Sequence, residues 1–173
     1  MYLKIIGCVL IVLASSGYGY AKGLEYKKQV EELEYVSRLL RQVGGEISYL
    51  KAPLPDVLKR VGRRVKNPYQ SWLFSLSDAL GRKGDAVLGD VWRTKTEEEL
   101  KGVFLCKEEL EELKGLGGQM GHLDIRMQEQ TLSWYAKRLE EKGQCLRTEL
   151  AQKRRLCNLL GVMGGVFLAI ILI

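Results

Sequence analysis

The 173-residue chain has one histidine, His122, and four cysteines, Cys8, Cys106, Cys145 and Cys157. No two cysteines form a C-x-x-C pair, so local spacing offers neither a zinc ribbon nor a dithiol redox pair. A zinc site would have to recruit thiols from distant parts of the chain. His122 and Asp124 are two residues apart, which on a helix puts them on different faces. Four free thiols fit a reducing compartment. No serine sits in a G-x-S-x-G turn, and no G-x-x-x-x-G-K-[ST] phosphate loop is present. The run Gly115-Leu116-Gly117-Gly118-Gln119-Met120-Gly121 imitates such a loop, but no strand pattern precedes it and no lysine follows. The expectation is a protein that is not an enzyme and takes no cofactor or metal. Proline is scarce too, at three residues. Long Leu/Glu/Lys/Arg stretches separate the prolines, which points to an all-α chain.

Charge is absent from both ends. Residues 5–21 and 156–173 contain no charged side chain, while all 21 acids and 26 of the 27 bases fall in 22–155. At about 1.5 Å per residue the two runs would extend about 25 and 27 Å as helices, close to the thickness of a bilayer core. The expected organisation is an N-terminal anchor at 1–21, a cytoplasmic helical domain at 22–155 and a C-terminal transmembrane helix at 156–173. A cleaved signal peptide competes for the first segment, since Ala14-Ser15-Ser16 follows a fair apolar region. The uncharged run continues through Tyr18 and Tyr20, which suit a membrane interface and favour a retained anchor. A lipoprotein site at Ile5-Ile6-Gly7-Cys8 has too little chain before it. Lys22, Lys27 and Lys28 flank the first run and Lys153, Arg154 and Arg155 the second, so the positive-inside rule puts the middle in the cytoplasm and makes the chain a hairpin. Gly161 and Gly165 form a G-x-x-x-G that would allow close helix contact within the membrane.

The middle reads as successive helices. Val30, Leu33, Val36 or Ser37, Leu40, Val43 or Gly44, Ile47 and Leu50 recur every three or four residues, and Pro53 and Pro55 stop them. Leu54, Leu58, Val61 and Val65 mark a short second helix. Its opposite face carries Lys59, Arg60, Arg63, Arg64 and Lys66, the candidate partner-binding residues. Charge alone would admit nucleic acid, but intermingled acids, a membrane tether and the lack of a recognition-helix signature argue against it. Anionic lipid or an acidic partner protein fits better. After Asn67-Pro68, a third helix carries Tyr69, Trp72, Leu73, Leu76 and Leu80. Asp85 is placed to cap a fourth with Val87, Leu88, Val91 and Trp92. Thr96 and Glu99 read as a capping box starting a further short helix through Leu100, Val103 and Phe104. Another begins near Lys107. Finally Leu132, Ala136, Leu139, Gly143, Leu146 and Leu150 alternate by four and three, as in a coiled-coil seam. That long C-terminal helix would run into the membrane, giving an all-α, membrane-anchored bundle. On the seam alone, the chain could instead be a membrane-anchored coiled-coil adaptor.

Leu113-Lys114-Gly115-Leu116-Gly117-Gly118-Gln119-Met120-Gly121-His122-Leu123-Asp124, followed by Gln128, resembles the stage III sporulation protein AB family, whose pattern is L-x-x-L/F-G-x-x-L/M-G-x-x-D-x-x-x-Q. Pro53-Leu54-Pro55 after Glu46-Ile47 and the two terminal apolar runs match as well, so the resemblance covers the whole chain. It implies a mother-cell membrane protein of endospore-forming bacteria, in the membrane facing the forespore. It also implies a place in a multiprotein channel complex between the two cells, and a soluble domain similar to the cytoplasmic domain of type II secretion F proteins. The implied partners are a secretion-type ATPase, sporulation protein AA, and other membrane proteins of the complex; self-association is left open. This chain has one helical domain and two apolar runs where a secretion F protein has two domains and three spans. Physically, Gly117 and Gly121 would share a helix face and admit a close neighbour, and Asp124 and Gln128, at i and i+4, could cap or cross-link an adjacent element.

Overall fold

The computed structural model describes the backbone of residues 2–82, 87–121 and 124–172, and side chains within 24–82, 87–121 and 124–152. The elements are α1 (Tyr2–Leu50), α2 (Leu54–Gly62), α3 (Tyr69–Gly81), α4 (Leu88–Glu99), α5 (Lys107–Met120) and α6 (Ile125–Leu172). No strand occurs among the described residues. Among the described residues no helix is long and apolar enough to cross a membrane. The apolar runs 5–21 and 156–173, with Gly161 and Gly165, lie outside the residues whose side chains are described, as do His122, Cys8 and Cys157.

Each helix packs on the next in chain order, and α6 closes the ring against both α5 and α1. The widest contact is α1 with α6. They run antiparallel: Gly143 lies beside Leu33, and Gly44 beside Glu129 and Leu132. Arg147 pairs with Glu34 at 2.8 Å, and Arg41 pairs with Glu140. Ser37, buried on this seam, donates from Oγ to the Ala136 carbonyl at 2.7 Å. The register brings Leu24 of α1 and Gln152 of α6 to the same end of the bundle.

The apolar stripe of α1 is the wall of the core, with Leu33, Val36, Leu40, Val43 and Ile47 all fully buried. Leu132, Ala136 and Leu139 of α6 meet it. The alternating seam is therefore filled from within the chain, by α1, and needs no second copy. Prolines set the next boundaries. Lys51 ends α1 with a left-handed φ of 49°, its N–H bonded to the Ile47 carbonyl at 3.1 Å, a helix stop usually given to glycine. Pro53 and Pro55 start α2, where a missing N–H costs nothing, and Asp56 sits in its first turn. Pro68, after a cis peptide bond, precedes α3.

Two tryptophans fill the centre. Trp72 and Trp92 meet edge-to-face with ring centroids 5.2 Å apart. Trp72 donates from Nε1 to Thr96 Oγ1 at 3.1 Å, and Trp92 to the Leu113 carbonyl at 2.8 Å. This corrects one expectation. Thr96 does not begin a helix; it is fully buried inside α4, which runs unbroken to Glu99. Its hydroxyl serves Trp72, and Glu99 accepts from Ser75 Oγ at 2.7 Å. Residues 101–104 form turns and bends. The Asp85 cap falls outside the described residues. At the start of α5, Glu109 supplies a capping side chain, accepting from the Cys106 N–H at 2.8 Å. Tyr135 is buried and donates to the Glu109 carbonyl at 3.1 Å, while Trp134 is exposed with Arg138 over its ring.

Candidate functional site

The five basic residues of the α2 region share an exposed surface but not one electrostatic state. Lys59, Arg60, Arg63, Arg64 and Lys66 are all exposed. Arg60 and Arg64 both turn to Glu46 of α1, at 3.5 and 3.0 Å. One carboxylate, mostly buried, thus takes up part of the charge of two arginines. Lys59 lines a shallow groove between α2 and α3 together with Asp56, Asp78 and Arg82. Among the described residues Lys59, Arg63 and Lys66 make no ion pair. The Lys66 N–H is anchored by the Tyr35 hydroxyl at 3.3 Å. Tyr35 stacks on Tyr69, which in turn donates to Glu32 at 2.6 Å. Burial, then the Glu32 carboxylate, pushes the Tyr69 phenol far above its ordinary range. The positions available to a partner are thus Lys59, Arg63 and Lys66.

The glycine-rich run forms the last turns of α5 and their crossing with α4. A Cβ on Gly117 would stand 2.2 Å from Cβ and 2.3 Å from Cγ of Trp92. A Cβ on Gly89 of α4 would stand 2.8 Å from Cα of Gly118. Without side chains at these positions, the two backbones come close enough for Trp92 to reach the Leu113 carbonyl. Gly121 belongs to the same face, one turn along, but its nearest neighbour is Leu88 Cβ at 3.7 Å, an ordinary contact. Asp124 begins α6: its Oδ1 accepts from the Met127 N–H at 2.7 Å. Gln128 reaches back from Nε2 to the Met120 carbonyl at 3.2 Å, supplying a donor to the exposed end of α5. Asp124 thereby caps α6, and Gln128 ties that helix to the end of α5.

Gly89 does not stand out in the sequence. A glycine inside a helical pattern costs about 1 kcal/mol against alanine, and that cost at Gly89 is the signal that a packing reason exists. Nor does Glu109 stand out, which is buried, accepts from Gln29 Nε2 of α1 at 3.3 Å and ties the start of α5 to that helix. The Cys106 thiol beside it is pushed up, mainly by burial. Cys145 is exposed. Among the described residues no three His, Cys, Asp or Glu side chains converge as metal ligands.

These features define an all-α protein in which a ring of helices is closed by a long antiparallel pair, and whose distinctive residues serve helix crossings and a charged face. The family model for stage III sporulation protein AB matches residues 4–173, and the chain belongs to that family. It is similar to stage III sporulation protein AB of Bacillus subtilis (strain 168), 25% identical over 98% of this chain and 99% of the relative. A solved structure of a stage III sporulation protein AB superposes with a TM-score of 0.62 at 19% identity, covering 72% of this chain and 97% of that one. That likeness concerns the fold.

Proposed function

We propose that the chain is a non-enzymatic platform of a secretion-like channel complex between mother cell and forespore, held in the mother-cell membrane by both apolar ends. Its helical domain lies in the cytoplasm and docks a secretion-type ATPase, sporulation protein AA, along with other membrane proteins of the complex. The observation that carries the reading is the antiparallel register of α1 and α6. It brings the sequence neighbours of both apolar runs to one end of the bundle, which is what a two-anchor hairpin requires. The α2 face lies elsewhere. Glu46, which holds Arg60 and Arg64, is 25 residues beyond Ala21, about 37 Å along α1. That is several Debye lengths from a bilayer surface. With α1 upright in the membrane the α2 face stands clear of lipid, and an acidic protein surface is then its fitting partner. The adaptor alternative rested on the seam of α6, which α1 occupies.

Charge reversal of Lys59, Arg63 and Lys66 to glutamate tests the docking face. The triple variant should keep its helical content and lose crosslinking to sporulation protein AA in sporulating cells. The wild-type contact should weaken with added salt. Undiminished crosslinking and sporulation would move docking off α2. An impermeant thiol reagent on intact mother cells tests the orientation. Cys145 is the proper reporter, because the Cys106 thiol is both partly buried and raised in pKa. Labelling of Cys145 from outside would overturn the cytoplasmic assignment.

A further inference from the structure

We propose that the α4–α5 loop, residues 100–106, and the adjoining turn of α1 form a collar that lies on an anionic bilayer surface, with Phe104 seated among the headgroups. The proposal rests on the membrane-anchored reading above and adds to it a second, non-spanning contact with lipid.

Three contacts locate the loop along the molecule. Lys28 Nζ stands 4.7 Å over the Phe104 ring. Gln29 donates to the Glu109 carboxylate at 3.3 Å, and the same carboxylate holds the Cys106 N–H at the end of the loop. The loop is thus pinned to α1 at residues 28 and 29. Lys28 follows Ala21, the last residue of the uncharged run, by seven positions, or about 10 Å of helix. The headgroup layer is about 5–8 Å deep on each side of the hydrocarbon. Lys28 thus stands a few ångströms beyond that layer, a gap that the length of a lysine or phenylalanine side chain spans, and Phe104 is tied to it.

The chemistry of the collar suits such a surface. Phe104 and Leu24 are each 46% exposed, at the end of the bundle where the apolar runs join it. Lys27, Lys28, Lys101 and Lys107 are exposed around them. Glu31 offsets Lys27 at 3.7 Å, and Glu25 and Glu108 add negative charge nearby. The basic excess comes from Lys22, Lys153, Arg154 and Arg155, which border the apolar runs in the sequence. Basic residues near a membrane surface attract anionic headgroups, and aromatic rings are enriched at the membrane–water interface. The contact would fix the tilt and rotation of the bundle, which two helical anchors alone leave free.

Nitroxide accessibility in the full chain tests the collar. The native cysteines are changed to serine and single labels placed by Phe104→Cys, Arg63→Cys, Val12→Cys and Gly165→Cys. The protein is reconstituted in phosphatidylcholine vesicles containing about a third phosphatidylserine. Circular dichroism checks that each variant is folded. The label at 104 should be open to oxygen and shielded from a water-soluble nickel chelate, and the label at 63 should show the reverse. Vesicles of phosphatidylcholine alone, or the pair Lys101→Glu and Lys107→Glu, should lower the lipid-exposed population at 104 by about fivefold for each lysine that no longer meets an anionic headgroup. A water-exposed label at 104, with 12 and 165 in hydrocarbon, overturns the collar and leaves the anchors standing. Water exposure at 12 and 165 overturns the anchored reading and the collar with it. Equal burial at 104 in both lipid mixtures overturns the assignment to anionic lipid.

Discussion

A single methyl group at position 117 should damage the protein more than its local chemistry suggests. On an isolated helix Gly117→Ala would stabilise by about 1 kcal/mol. In the bundle the new Cβ would sit 2.2 Å from Trp92 Cβ and 2.3 Å from its Cγ, and relief to ordinary contact requires α4 and α5 to part by about 1.5 Å. Neither atom is the free end of a flexible side chain. Both belong to the root of a fully buried ring that is bonded to the Leu113 carbonyl and packed edge-to-face with Trp72. Overpacking costs about 1–3 kcal/mol, and weakening the indole hydrogen bond adds about 1 kcal/mol. After subtracting the propensity gain, the net loss is about 1–3 kcal/mol, or roughly 3–9 °C in melting temperature for a domain of this size. Tryptophan fluorescence during guanidinium unfolding of the full chain in micelles reads it directly, because Trp72 and Trp92 report the core. Gly121→Ala is the matched control: its Cβ would find Leu88 at 3.7 Å, so its midpoint should stay within about 0.5 kcal/mol of the parent. A Gly117→Ala protein as stable as the parent, with unaltered fluorescence, would refute the close crossing of α4 and α5.

Asp124→Ala should cost about 1 kcal/mol through loss of the bond to the Met127 N–H. Gln128→Ala should open the α5–α6 corner and speed amide exchange around residues 118–121; unchanged exchange would show that the Met120 carbonyl does not depend on it. Stability should fall in alkali. The buried Tyr69 phenol keeps its proton in the folded state beyond the ordinary range, whereas the unfolded chain releases it near pH ~10. Its contribution is complete below that pH, and above it stability should drop by about 1.4 kcal/mol per pH unit for this group. Tyr69→Phe should flatten that limb, and an unaltered slope in the variant would show that Tyr69 does not set it.

The apolar stripe of α1, both proline stops and the span of α3 are legible in the chain itself, because a 3.6-residue period and a missing N–H act within a few residues. The run from Leu113 to Asp124, with Gln128, likewise carries the family resemblance through residue identities and spacing alone. The failure at Thr96 has the same root. S/T-x-x-E marks a helix start only if the hydroxyl is free to bond the chain just ahead, and here Trp72, 24 residues away, takes it. The seam of α6 is visible as a period, yet periodicity does not name the partner helix, and α1 fills it.

The sequence by itself determined an all-α chain, two charge-free ends around a charged middle, and a basic face opposite the apolar stripe of α2. These are properties of neighbours in the chain, expressed through helix geometry and solvation. Tertiary structure alone decided which charges stay available and which glycine is indispensable. Glu46 takes Arg60 and Arg64 only because α2 folds back beside α1. Gly117 lacks room for a side chain because Trp92 lies against it, while Gly121, of identical chemistry and on the same face, meets only an ordinary neighbour. Both outcomes depend on distances of a few ångströms between segments far apart in sequence, and no local pattern encodes such distances.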